Sequence, residues 1–455
     1  MNKSYVCFIC LVSALGGLLF GYDWVVIGGA KIFYEPFFVI ADKPLLVGLA
    51  TSIALAGCMI GALVAGGLAD RYGRKPLLIV SAFIYVASAV GTGAFNTFVP
   101  FLAARFIGGI AIGITSGLSP MYIAEVAPAQ IRGKLVTVNQ LTIVIGILAA
   151  QVANWRIAGT HTPDWNLSLG WRWMFWAEAF PAAVFFLLAF FIPETPRYQA
   201  LKGRFAQAQQ TLAMIGGQAY AQAEIQSIRA ANEADAGAAT GGLRLLLTNP
   251  FRSLLLLGII IAFYQQWSGT NVIFNYAQEI FQGAGYDVDN TFINIVITGI
   301  ANLLFTFVAL FSVEKLGRRA LMLLGAGGLA GIYAILGACY FFHVSGVAMV
   351  VLCVLAIACY AMTLGPMTWV LISELFPNRV RAVAVATCTF FLWIGSFTLT
   401  LSFPLLNQAL GTSGTFWIYS GICLAALLYF IKRLPETKGK TLEQLEAELI
   451  PSDKS

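Results

Sequence analysis

Apolar and polar positions in this chain alternate on the scale of whole membrane crossings. Stretches of about 20 apolar residues, enough to cross a hydrocarbon core, recur near residues 5–29, 45–68, 77–95, 98–121, 135–156, 172–192, 252–281, 290–312, 319–341, 346–372, 382–405 and 414–432. The pattern predicts twelve transmembrane helices. One polar connection is long, the Ala/Gln-rich stretch from 193 to 251, and it divides the spans six and six. The predicted organisation is a six-helix bundle over 1–192, a linker with short helices over 193–250, a second six-helix bundle over 251–434, and a helix and tail over 435–455. Thr441-Leu-Glu-Gln444 reads as the capping box that opens that last helix.

Composition sharpens the class. With 59% hydrophobic and 11% charged residues among 455, a soluble fold has nowhere to hide its apolar surface, and an all-α polytopic membrane protein follows. With the N-terminus inside, the cytoplasmic segments hold 22 of the 27 lysines and arginines, which sets both termini in the cytoplasm. Lys31, Lys43, Arg156 and Arg172 then fall outside, and Arg105 falls within a span. This bias accounts for the net charge of +6, so no nucleic-acid partner is expected. The first apolar run has no small-residue cleavage site and carries Asp23, so it reads as a retained helix, not a signal peptide. The eight cysteines lie in or beside the spans and read as lipid-facing small residues; Cys7 and Cys10 lack the two further ligands a metal site needs. His161 and His343 fall in or near outer loops without a neighbouring nucleophile. No enzyme, metal or cofactor is expected.

The chain also repeats itself. Asp70-Arg-Tyr-Gly-Arg-Lys75 recurs as Glu314-Lys-Leu-Gly-Arg-Arg319; Glu125 with Arg132 recurs as Glu374 with Arg381; Pro193-Glu-Thr195 recurs as Pro435-Glu-Thr437. Paired motifs in one order mean two related halves, an architecture of alternating-access transporters. Acids and arginines at matching helix ends can pair across the two halves when the inner side closes and must separate when it opens. This gives a gating set of Asp70, Arg74, Glu125, Arg132, Glu194, Arg197, Glu314, Arg318, Glu374, Arg381 and Glu436.

The motifs GGLADRYGRK, PETPR, QQWSGTN, GRR and PETKG, in this order, resemble the sugar porter family of the major facilitator superfamily over nearly the whole chain. The likeness is to its bacterial, proton-coupled D-xylose-type branch and, more distantly, to its mammalian glucose facilitators. It implies a monomeric inner-membrane carrier of a pentose or hexose together with a proton. A uniporter is the alternative. A non-transporting sugar sensor is disfavoured, since such members usually carry a long cytoplasmic extension.

A sugar needs amides and hydroxyls for its hydroxyl groups and an aromatic face for its C–H surface. Gln140 and Gln151 are eleven residues apart in the fifth span, hence on one helical face. Thr389, Trp393, Ser396 and Thr400 form a similar stripe in the eleventh. Gln265, Gln266 and Asn271 do not share a narrow face of an ideal helix, and Gly269 between them allows a break. The resemblance implies sugar contact at Gln140, Gln265, Gln266, Asn271, Asn302 and Trp369; Phe20 and Trp393 supply further aromatic surface. Asn275 and Leu392 depart from the branch pattern, which has tyrosine and glutamine there.

Asp23 shares a face with Gly16, Phe20 and Ile27. It lies about as deep below the outer surface as Arg105 in the fourth span, at about 10 Å by the helical rise, so the two can meet. Arg105 continues into Gly109, Gly113 and Gly117, a small-residue stripe suited to close helix approach. Intramembrane charges are functional by default. While Arg105 is close, Asp23 is expected to stay ionised; if the outer half rearranges and the arginine withdraws, the carboxylate in its low-dielectric site is expected to take a proton. The resemblance adds that proton-coupled members carry Asp here where facilitators typically carry Asn, and matches Glu178 to an accessory acid.

Overall fold

The computed structural model describes residues 2–237, 243–249 and 251–438, and among them every regular element is a helix. The first half contains α1 (Lys3–Phe37), α2 (Pro44–Tyr72), α3 (Arg74–Ala94), α4 (Phe98–Val126), α5 (Arg132–Thr160), the single turn α6 (Pro163–Trp165) and, after a π-helical stretch over Asn166–Gly170, α7 (Trp171–Ala189). The connection folds into α8 (Pro196–Leu201), α9 (Phe205–Gly216), α10 (Gln218–Gly237) and α11 (Leu243–Leu246). Ala200, Ala208, Leu212, Ala221 and Ile228 give it a small core of its own. The second half contains α12 (Phe251–Trp267), α13 (Thr270–Asn275), α14 (Ala277–Gly283), α15 (Val288–Leu316), α16 (Arg318–Phe341), α17 (Val347–Met362), α18 (Leu364–Glu374) and α19 (Asn378–Arg433). The Thr441 capping box lies outside the described residues.

Ten stretches among the described residues are long and apolar enough to cross a membrane. One break and one merger account for the difference from twelve. The seventh span is cut into α12, α13 and α14, and the first cut falls at Gly269, whose φ of 87° is the left-handed region that only glycine enters cheaply. The eleventh and twelfth spans run on within α19 and part at Gly411, with φ 69°. The tenth span also divides, at Thr363 between α17 and α18, a break hidden inside an unbroken apolar run.

The described residues form two compact units. One takes them from Met1–Val26, Ala56–Ala153 and Leu169–Thr240, with α3 packed on α4 and α7. The other takes them from Ile27–Leu55, Asn154–Ser168 and Gly241–Ser455, with α12 and α16 packed on α19 and α15 on α17. Helix α1 passes from the first unit to the second after Val26, and α2 makes the reverse passage after Leu55.

Three expectations need correction. The first helix was expected to end near residue 29 but runs to Phe37, so Lys31, expected in an outer loop, is helical and only 2% exposed. Cys10, Cys58, Cys353, Cys388 and Cys423 are buried, not lipid-facing; small and weakly polar, they fill gaps between helices. The glycine stripe of α4 holds only in part. A side chain at Gly113 would strike the Cys58 carbonyl of α2, whereas one at Gly117 would meet nothing within 4 Å.

Candidate functional site

The repeated motifs fold into two matching charge clusters, and the pairs described lie within one unit each, not across the two halves as expected: each arginine is met by acids of its own repeat. In the first, Arg74 reaches Glu125 at 3.0 Å and Asp70 at 3.2 Å. The Glu194 carboxylate caps α3, accepting from the backbone N–H of Arg74 at 3.1 Å and of Lys75 at 3.2 Å. In the second, Arg318 reaches Glu374 at 3.0 Å, and Glu436 caps α16 through the N–H groups of Arg318 at 3.0 Å and Arg319 at 3.1 Å. Carboxylates belong at helix N-termini, where unpaired N–H groups and the dipole favour negative charge. Arg132 and Arg381 donate to carbonyls five residues back, Ala127 at 3.4 Å and Phe376 at 3.0 Å. Arg197 is exposed, and the Glu314 side chain lies outside the described ones.

The two caps titrate differently. Burial pushes the Glu194 carboxyl above the ordinary glutamate value, with the N–H donors of Thr195, Arg74 and Lys75 opposing. Burial acts the same way on Glu436, but the N–H donors of Lys438, Arg318, Arg319 and Thr437 together hold it below that value. A depressed carboxyl contributes stability above its unfolded pKa and loses it as pH falls through the folded one. Thermal unfolding in detergent is therefore expected to show Glu436→Gln less stable than the parent at neutral pH, with the gap closing towards about pH 4. A gap independent of pH would mean that the Glu436 charge does not matter.

In the second unit, the break at Gly269 brings three amides of the QQWSGTN motif into line. Asn271 Nδ2 donates to Gln266 Oε1, Gln266 Nε2 donates to Gln265 Oε1 at 2.7 Å, and Gln265 Nε2 donates to the Tyr360 hydroxyl at 2.9 Å. All three amides are buried. An ideal helix would have spread them over different faces; the left-handed glycine turns Asn271 back onto Gln266. Tyr360, in α17, escaped the sequence reading because a tyrosine in an apolar run carries no signal of its own. Asn302 and Trp393 are buried and Trp369 is half-buried in this unit, while Gln140 and Phe20 are half-buried in the first. Phe20 stands 6.1 Å from Trp24, ring to ring. Gln151 is 1% exposed, and neither of its amide atoms meets a partner among the described residues.

In the first unit, α1 and α4 bring Asp23 and Arg105 together. Arg105 Nη1 donates to Asp23 Oδ1, and Nη2 reaches the Asp23 backbone carbonyl at 3.3 Å. The guanidinium also sits 5.4 Å from the centre of the Phe175 ring. Both charges are at most 3% exposed. Glu178, from α7, is equally buried and lies within electrostatic reach of both. Two carboxyls and one guanidinium thus share a site shielded from water, with the Glu178 side chain within hydrogen-bonding reach of Asp23. A buried pair of this kind is costly to break from one side only, because the remaining charge is left uncompensated.

Comparison with known proteins agrees with this architecture. The family model described as "Sugar (and other) transporter" matches residues 9–449. The D-xylose-proton symporter of Escherichia coli (strain K12) is 36% identical, the alignment covering 100% of this chain and 97% of that protein. The arabinose-proton symporter of Bacillus subtilis (strain 168) is 34% identical over 98% of this chain and 95% of its own length. Among solved structures, a partially occluded inward-open conformation of the xylose transporter from E. coli superposes with a TM-score of 0.86 at 34% identity, covering 96% of this chain and 100% of that one. The proton:xylose symporter bound to 6-bromo-6-deoxy-D-glucose superposes with a TM-score of 0.82 at 36% identity, covering 99% and 100%. The chain belongs to the sugar transporter family, has the all-α membrane fold of the major facilitator superfamily, and is a transporter, not an enzyme.

Proposed function

We propose that this transporter carries a monosaccharide, a pentose or a hexose, together with a proton by alternating access. It works as a monomer in the lipid bilayer of a bacterial inner membrane, with both termini in the cytoplasm. The observation that carries the proton half is the buried group of Asp23, Arg105 and Glu178, since ionisable residues inside a membrane span mark ion pathways and proton relays. The sugar half is supported by the amide chain of Gln265, Gln266 and Asn271, with Gln140, Asn302, Trp369, Trp393 and Phe20 as further contacts. The matched clusters around Arg74 and Arg318, with Arg132 and Arg381 beside them, act as the inner latch. The names of the E. coli and B. subtilis relatives point the same way.

The test is uptake of labelled xylose, arabinose, glucose and galactose into proteoliposomes with and without an inward proton gradient. Accumulation above equilibrium is expected for at least one sugar, and only with the gradient. Equilibration without accumulation under either condition would make the protein a uniporter.

A further inference from the structure

At the far end of α1 from Lys3 lies a charge cluster that none of the family motifs includes. The Lys31 ammonium contacts Glu279 of α14, lies 3.6 Å from Glu35 one turn further along α1, and sits 3.8 Å from the centre of the Tyr276 ring. Next to it Gln278 joins the two backbones, donating from Nε2 to the Gly29 carbonyl at 2.9 Å and accepting from the Ile32 N–H at 3.3 Å. The segments can come this close because residue 28 is glycine; a side chain there would stand 2.9 Å from the Phe274 carbonyl. All of these residues belong to the same compact unit.

The chemistry of the contact is that of something made to part. An apolar seam or a fully buried ion pair resists separation, because each side is left worse off in water or unpaired. Here each side has a ready alternative. When α1 draws away, Lys31 keeps Glu35, held at the i,i+4 spacing of the same helix, and its long stem lets the ammonium reach water at the membrane surface. Glu279 is already 36% exposed. Gln278 exchanges two backbone partners for water.

We propose that Lys31, Gln278 and Glu279 form a releasable clamp that docks the last turns of α1 onto α14, closes the outer end of the carrier, and opens each time a sugar enters from outside. The word outer rests on the orientation given under the proposed function; the contact itself does not.

The test uses the full chain in right-side-out membrane vesicles, with Thr51→Cys as reporter, because Thr51 is 3% exposed and buried beside Tyr276. The readout is its alkylation by a membrane-impermeant maleimide, against the protein without the added thiol. Lys31→Met keeps the stem and removes the charge; Glu279→Gln is the milder change, at a partly exposed site. Each is expected to raise the alkylation rate about tenfold, a shift of about 1.4 kcal/mol, and the double variant no further, since both remove one interaction. Unchanged rates in both single variants, or effects that multiply in the double variant, would overturn the clamp. Labelling raised by both variants but confined to inside-out vesicles would support the clamp and overturn the orientation instead. Sugar transport is not needed for this readout, so failure of the symport reading leaves it standing.

Discussion

Proteoliposomes carrying Asp23→Asn are expected to exchange sugar at nearly the parental rate while losing gradient-driven accumulation about tenfold or more. Asparagine keeps the size and hydrogen-bonding capacity of aspartate but cannot take up and release a proton. The substitution leaves the Arg105 guanidinium without its carboxylate, a change that in an isolated buried pair costs about 3–5 kcal/mol. Glu178 offers a substitute within reach of Arg105, so the variant is expected to fold. Sugar affinity should lose most of its pH dependence in the same variant, because coupling between two ligands is reciprocal. A role confined to helix packing makes the opposite forecast: lower thermal stability, with uptake per folded molecule still driven by the gradient. Retained concentrative uptake in the asparagine variant would remove Asp23 as the coupling group.

The second large effect is expected at the amide chain. Gln266 both accepts from Asn271 and donates to Gln265, so Gln266→Ala removes one sugar partner and unsettles two others. Asn271→Ala removes the end of the chain, whose Oδ1 has no hydrogen-bond partner among the described residues. Each lost buried partner is worth about 1–3 kcal/mol, or roughly five- to 150-fold in Kd. Calorimetry should show Gln266→Ala as the weaker binder of the two. Unchanged affinity in both variants, with the fold intact, would mean that sugar binds elsewhere.

Much of this arrangement can be read before folding, and the exceptions share a cause. The contact of Asp23 with Arg105 follows from matching depths in two apolar runs, and the break at Gly269 from a glycine set among amides that no straight helix aligns. That contact is legible although the apolar run of the first span stops near residue 29, eight residues before the helix itself ends at Phe37. Lys31, Tyr34 and Glu35 look like the start of a loop because polarity in a single strand of sequence cannot show that a partner will arrive from residue 279. Tyr360 is silent for the same reason: its partner, Gln265, lies 95 residues away. The cysteines mislead because a small residue suits a lipid face and a helix interface equally well. Periodicity registers what a residue is, and long-range pairing depends on what it meets.

The Lys31 contact also sets a timetable for biosynthesis. Lys31 and Glu279 are 248 residues apart in the chain. At about 5–20 residues per second, the ribosome delivers the second roughly 12–50 s after the first. During that interval Lys31 keeps Glu35, four residues on along the same helix, as a carboxylate partner. Until then the end of α1 lacks the contacts that Gln278 and Glu279 make with it. The docking of the last turns of α1 is therefore completed only after the seventh span has been made, whereas the Asp23–Arg105 and Arg74–Glu125 pairs need no residue beyond the first half.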